Sequence, residues 1–262
     1  MTPLLEVRGV CAGYRGVEAV RSVSFGVRAG ERVSIIGPNG CGKTTLLKAM
    51  CNLIPLTGGG VLIDGINPAS MSRRAAAKKI SMMAQISELW FDFTVAETVL
   101  MGRYARQSGR LSSNTNDDMR VVEECLLAVG MTSSANESIT RLSGGQRQLV
   151  MLARAFAQEP RIIVLDEPTN HLDLKHQAEL FGYLLEWVTK PDRAVIQVMH
   201  DLNFARMYSD RILLMNDGRL AADGKPDEIM NMSELDDAYD FGVRRFLETA
   251  AKTQRELSEN GK

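Results

Sequence analysis

The sequence predicts an α/β fold: a core with a mixed β-sheet, an antiparallel β-subdomain and an inserted α-helical subdomain. Three observations carry this. The stretch Ile35-Ile36-Gly37-Pro38-Asn39-Gly40-Cys41-Gly42-Lys43-Thr44-Thr45 reads G-x-x-x-x-G-K-[ST]. It lies between a β-branched run and a helical apolar face of Leu46, Leu47 and Met50, which is the context a phosphate loop requires. The run Ile162-Ile163-Val164-Leu165 is continuously apolar, as a strand buried on both faces should be, and ends in Asp166-Glu167. Between these two, residues 86–160 carry helical patterns, so a helical module interrupts the sheet.

Composition sets the outer limits. A chain of 262 residues with ordinary apolar and charged fractions, 45% and 24%, is long enough for a sizeable core. A net charge of −1 argues against a nucleic-acid surface as the main business. No apolar run approaches the roughly eighteen residues of a membrane span. Met1-Thr2-Pro3-Leu4-Leu5-Glu6 lacks the basic stretch and apolar core of a signal peptide. Cys11, Cys41, Cys51 and Cys125 form no C-x-x-C pair, so neither a disulfide framework nor a metal site is implied, and a reduced, cytoplasmic setting is expected.

Taken in order, Leu5-Glu6-Val7-Arg8-Gly9-Val10 alternates as a strand, turns at Gly13-Tyr14-Arg15-Gly16, and is answered by a second, antiparallel strand over residues 20–27. The P-loop strand and helix follow. Thr57-Gly58-Gly59-Gly60 reads as a break before the strand and turn Val61-Leu62-Ile63-Asp64-Gly65. Residues 72–79 read as a surface helix, and Ile80-Ser81-Met82-Met83-Ala84 as a buried strand ending at Gln85. Thr94 with Glu97 three positions later is a capping box opening a helix to Leu100. Residues 104–115 are polar and loop-like; residues 118–129 form an amphipathic helix stopped by Gly130, and residues 133–140 a polar loop. Residues 145–157 show Leu149, Leu152, Ala153 and Phe156 on one face, closed by Pro160. A helix over 175–187, a strand over 194–199 ending at His200, and two short strands around Asn216-Asp217-Gly218 complete the core. Short helices are expected to about Leu247, with residues 248–262 polar and frayed.

The chemistry follows from the residue types. Glycines let successive N–H groups of the loop turn inward around an anion; the new helix adds its positive dipole end and Lys43 a full charge. Thr44 and Asp166, the latter at the end of a buried strand, are the candidate Mg²⁺ ligands. Glu167 is placed to orient and deprotonate a water beside a γ-phosphate, although a surface acidic pair at a proline turn gives the same letters. Leu142-Ser143-Gly144-Gly145-Gln146 puts a serine and two glycines at a helix N-terminus. That is either a plain N-cap or a second anion site, facing this chain's own nucleotide or another molecule's. Tyr14 is a rim aromatic on its residues alone. Cys41, beside Lys43 at a helix N-terminus, is expected to have a lowered thiol pKa and to react with thiol reagents unless nucleotide protects it.

The P-loop, Gln85, Leu142-Ser143-Gly144-Gly145-Gln146, Ile163-Val164-Leu165-Asp166-Glu167, Asn170-His171-Leu172-Asp173 and His200 occur in the order and spacing of ABC-transporter ATPase subunits, which the chain resembles over about residues 4–230. The resemblance implies a single ABC ATPase domain over 1–250: residues 1–85 and 161–230 as nucleotide-binding core with its β-subdomain, 86–160 as the helical signature subdomain, and 231–262 as a C-terminal helical tail. It implies ATP and Mg²⁺, and a head-to-tail pair of copies in which Ser143, Gly144, Gly145 and Gln146 of one copy cap the ATP held by Gly37, Pro38, Asn39, Gly40, Cys41, Gly42, Lys43, Thr44 and Thr45 of the other. Tyr14 would stack on adenine, Gln85 sense Mg²⁺ and the water, Asp173 lie at the dimer seam, and His200 contact the γ-phosphate. Transmembrane permease subunits, an extracytoplasmic binding protein and a peripheral place on the cytoplasmic side of the membrane are also implied, with part of the Trp90, Phe91, Phe93 cluster lining the groove for a permease helix. Met101-Gly102-Arg103-Tyr104 and Pro168-Thr169-Asn170-His171-Leu172-Asp173 resemble the group importing iron–siderophore complexes, haem or cobalamin; Cys41 stands where serine is common in the wider family. The competing readings are the ATPase of another ABC transporter with a different substrate, a soluble ABC protein of translation or DNA repair, and a P-loop kinase, which leaves residues 142–146 unexplained.

Overall fold

A computed structural model describes residues 3–84, 92–107, 116–170 and 172–260, with side chains for these except 251 and 254–260. Two sheets organise it. The first is antiparallel, in the order β2-β1-β4, formed by β1 (Leu5–Tyr14), β2 (Val17–Val27) and β4 (Leu56–Ile63). The second has six strands in the order β5-β6-β7-β3-β8-β9: β3 (Arg32–Ile36), β5 (Ile80–Met83), β6 (Ile162–Asp166), β7 (Ala194–Val198), β8 (Arg211–Asn216) and β9 (Arg219–Gly224). All its pairings are parallel except the β8–β9 hairpin, so the sheet is mixed, as expected.

Ten helices surround these strands among the described residues: α1 (Lys43–Met50), α2 (Arg73–Ala77), α3 (Val95–Leu100), α4 (Asn116–Ala128), α5 (Gly144–Ala157), α6 (Leu174–Val188), α7 (Leu202–Tyr208), α8 (Pro226–Asn231), α9 (Ser233–Tyr239) and α10 (Val243–Asn260). No helix among them is long and apolar enough to cross a membrane.

The large sheet separates two cores, and β6 shows why its sequence had to be apolar throughout. Ile163 and Leu165 point into the core shared with α3 to α6, while Ile162 and Val164 point into the core shared with α1 and the antiparallel sheet. A strand with period-2 side chains covered on both faces has no position left for a polar residue. Every element described between β5 and β6 is helical: α2's neighbour β5 ends, and α3, α4, α5 and short 3-10 turns follow. The Thr94–Glu97 capping box forms as the spacing predicts. The predicted stripe on α5 is wider than four residues, since Val150, Met151 and Ala155 are buried as well. At its end Gln158 donates to Ile80 O at 2.9 Å and so ties α5 to the sheet edge.

Three expectations need correction. Residues 57–60 are not a break: β4 runs through the glycines because β1 pairs with them, Arg8 with Gly60 and Cys11 with Gly58, across register shifts. Backbone partners decide a strand here, and a glycine supplies the same N–H and C=O as any residue. Residues 248–260 do not fray but continue α10. Residues 133–140 contain two 3-10 turns, Thr132–Ser134 and Ile139–Arg141, where an irregular loop was expected.

One buried charge pins the helical module. Arg103 is 7% exposed and donates to Asp118 Oδ1 at 2.9 Å, Ala157 O at 2.8 Å and Glu159 Oε2 at 2.6 Å, joining the turn after α3 to α4 and to the end of α5. Removing Arg103 takes its guanidinium away from the buried Asp118 carboxylate. Arg103→Ala should therefore lower the unfolding free energy by about 3–5 kcal/mol in a urea titration, whereas removing both charges, Arg103→Met with Asp118→Leu, should cost less.

Candidate nucleotide-binding site

The site assembles at the carboxyl ends of the parallel strands, where open α/β sheets bind ligands. Val198 of β7 pairs with Ile35 of β3 on one side and with Asp166 of β6 on the other. The phosphate loop leaves β3 immediately after Ile36, the carboxylates leave β6 at Asp166, and His200 leaves β7 two residues past Val198. Residues far apart in sequence thus reach one edge through ladder register alone.

Within the loop Lys43 is buried, and its ammonium donates to Gly37 O at 2.7 Å and Pro38 O at 2.9 Å. Those carbonyls hold the charge over the loop, where phosphate oxygens would take it as a charge-assisted partner. Thr44 Oγ1 donates to Asp166 Oδ1 at 3.1 Å. A hydroxyl and a carboxylate at this separation are hard oxygen donors suited to a small divalent cation that keeps further ligands from phosphate and water. Among the described residues no group of three or more His, Cys, Asp or Glu could hold a metal. Burial pushes the Asp166 carboxyl above its ordinary value, with the Thr44 hydrogen bond opposing and the Glu167 charge adding.

Glu167 takes φ +52°, a conformation that costs an L-residue about 1–2 kcal/mol. Its two carboxylate oxygens are held separately: Oε1 by His200 Nε2, and Oε2 by the side-chain amide of Asn170. A carboxylate clamped from both sides presents a fixed lone pair, which is what a base aimed at one water needs. Asn170 counted in the sequence only as part of a motif; its hold on Glu167 is visible in three dimensions alone.

The start of α5 forms the N-cap that its sequence allows. Ser143 Oγ accepts from Gln146 N–H at 3.2 Å, while Gln146 Oε1 accepts from Ser143 N–H at 3.0 Å, a complete capping box at the start of α5. Gln148, which sequence reasoning missed, donates to Pro168 O at 2.8 Å and ties this helix to the segment after Glu167. Gly145 lies against the ring of His176: a Cβ there would sit 2.4 Å from its Cγ. His176 in turn meets Asp173 Oδ1 at 2.7 Å, and Asp173 caps α6. Among the described residues no hydrogen bond joins residues 143–146 to the chain's own phosphate loop. Tyr14 ends β1 with about half its surface exposed. Gln85, Trp90, Phe91 and His171 lie outside the described residues.

The expectation for Cys41 is reversed. Its thiol is 5% exposed, and burial pushes its pKa up further than Lys43, 3.9 Å away, pulls it down. Desolvation is the largest cause, and the Lys43 charge only partly offsets it. Native Cys41 should react with a thiol reagent more slowly than an unfolded control at the same pH, read by mass spectrometry of the 41-containing peptide. Asp166 supplies a second test. A carboxyl whose pKa is raised by folding contributes stability at low pH that is lost as pH rises through the folded value. Asp166→Asn should therefore raise the melting temperature of the metal-free protein at pH 7, with the gain fading toward pH 3.

The ABC transporter family profile matches residues 20–170. The chain is 34% identical over 240 residues to the petrobactin import ATP-binding protein YclP of Bacillus subtilis, covering 92% of this chain and 94% of that one. It is 36% identical over 239 residues to the cobalamin import ATP-binding protein BtuD of Halobacterium salinarum, covering 91% of this chain and 59% of the relative, so it spans about three-fifths of that protein's length. Among solved structures, an inward-facing putative metal-chelate type ABC transporter superposes with a TM-score of 0.78 at 26% identity, covering 90% of this chain and 89% of that one. With the P-loop, the strand-end carboxylates and the capped glycine helix in one register, this chain belongs to the ABC transporter ATPase family.

Proposed function

We propose that the chain is the ATP-binding and ATP-hydrolysing subunit of an importer, working as a head-to-tail pair of copies beneath transmembrane permease subunits on the cytoplasmic side of the membrane. An extracytoplasmic binding protein delivers the cargo, a metal chelate of the iron–siderophore, haem or cobalamin kind. The observation that carries the hydrolytic part is the clamp on Glu167 by His200 and Asn170, next to the Thr44–Asp166 pair. The printed functions of the petrobactin and cobalamin relatives support the cargo class.

In this reading Lys43 and the loop N–H groups bind the β- and γ-phosphates, and Tyr14 stacks on the base. Thr44, Asp166 and Gln85 would hold Mg²⁺, which when bound would supply charge stabilisation at the phosphates. Glu167 takes a proton from water as its oxygen bonds to the γ-phosphorus and the bridging oxygen leaves with ADP. His200 keeps the Glu167 carboxylate in line and reaches the γ-phosphate. The capped start of α5, with Ser143, Gly144, Gly145 and Gln146, closes over the nucleotide of the other copy, while Asp173 lies at the seam. Support for that arrangement is local: the α5 N-terminus opens on a capping box and, among the described residues, makes no hydrogen bond to its own loop. Phe93, Met101 and Tyr104 are exposed large apolar side chains on the helical module, which suits a permease contact.

Glu167→Gln should bind ATP near native affinity, lose about 10²-fold or more in turnover, and run as a dimer on gel filtration with ATP. Turnover at the native rate would overturn the assignment of the base. Lys43→Ala should lose nucleotide binding outright, measured by equilibrium titration with a fluorescent ATP analogue.

A further inference from the structure

The chain after β9 packs as one unit. Leu235 of α9 is fully buried, and Ala238 and Val243 nearly so. Arg244 of α10 grips α9 through Asp236, its backbone N–H donating to Oδ1 at 3.0 Å and its Nε to Oδ2 at 2.7 Å, and also donates to Asn231 O at the end of α8 at 3.3 Å. From this unit one side chain reaches the phosphate loop. Tyr239, the last residue of α9, accepts a hydrogen bond from Gly37 N–H at 3.1 Å. Burial pushes its phenol up to about 12, so the hydroxyl stays neutral at ordinary pH.

Gly37 is the residue on which the loop turns. It sits at φ +145°, and a Cβ would lie 2.2 Å from Met215 O, so the backbone is wedged against β8. Its carbonyl accepts from Lys43, and its N–H donates to Tyr239. The same residue is therefore held on one side by the lysine that meets phosphate and on the other by the tail. A buried N–H that loses its acceptor must either stay unsatisfied or rotate, and rotation would disturb the carbonyl that steadies Lys43.

We infer that Tyr239 is a positioning residue for nucleotide binding: by holding Gly37 it sets the first turn of the phosphate loop and makes ATP affinity depend on the packing of the C-terminal tail. This rests on the ATP reading above. The effect belongs to binding, because Glu167, Asn170 and His200 are carried by β6, β7 and the segments leaving them, not by the tail.

The test is a fluorescent ATP-analogue titration with steady-state ATPase rates on the full chain. Tyr239→Phe, which keeps the ring, should raise Kd and KM about fivefold with kcat little changed. Arg244→Met, or Asp236→Asn if the first variant folds poorly, should raise Kd in the native background and add nothing on top of Tyr239→Phe, since both act through one hydroxyl. Native Kd in Tyr239→Phe, a loss confined to kcat, or fully additive effects of the two substitutions would each overturn the coupling. Lys43→Ala separates the levels: binding retained there sinks the ATP reading itself, whereas binding lost there with native Kd in Tyr239→Phe sinks the tail coupling alone.

Discussion

Val198 holds the site together without touching a ligand. As the strand partner of both Ile35 and Asp166, it fixes how far β3 and β6 extend relative to each other. A shift of one residue in either ladder would turn every side chain of that strand to the opposite face and move its last residue by about 3.3 Å. The two cores forbid it, because Ile162 and Val164 would then exchange places with Ile163 and Leu165 against differently shaped neighbours. Packing of apolar residues deep in the sheet is thus what keeps Thr44 within hydrogen-bond reach of Asp166.

Around that edge the charges are arranged by desolvation as much as by pairing. Asp166 and Cys41 both shift toward their neutral forms through burial, although Lys43 lies close by. Lys43 itself is satisfied by carbonyls of its own loop. The pocket is therefore pre-stocked with polar groups whose present partners are weak substitutes for phosphate and a cation. That is a reasonable state for a binder that must exchange those partners each cycle.

The helical module is attached to this edge at a few identifiable points. Gln148 reaches Pro168 O, Gly145 rests on His176, and Gln158 holds β5. The first two connect the start of α5 to the segment that follows Glu167, so a displacement of that start has a direct route to the base. Arg103 cross-links the module itself, tying the turn after α3 to α4 and to the end of α5.

Much was legible where the determining contacts are local. The phosphate loop, the strand-end carboxylates, the Thr94 and Ser143 helix starts and the apolar β6 all depend on spacing within a dozen residues, and the sequence by itself determined them. It did not determine the course of β4, which needs β1 as a partner for its glycines, nor the sign of the Cys41 shift, which needs the depth of its burial. Likewise Asn170 on Glu167, His176 under Gly145 and Tyr239 on Gly37 were decided only by tertiary structure. The physical reason is the same in each case: these are properties of what surrounds a residue after the chain has closed on itself, and the surrounding atoms come from strands and helices up to 202 positions away.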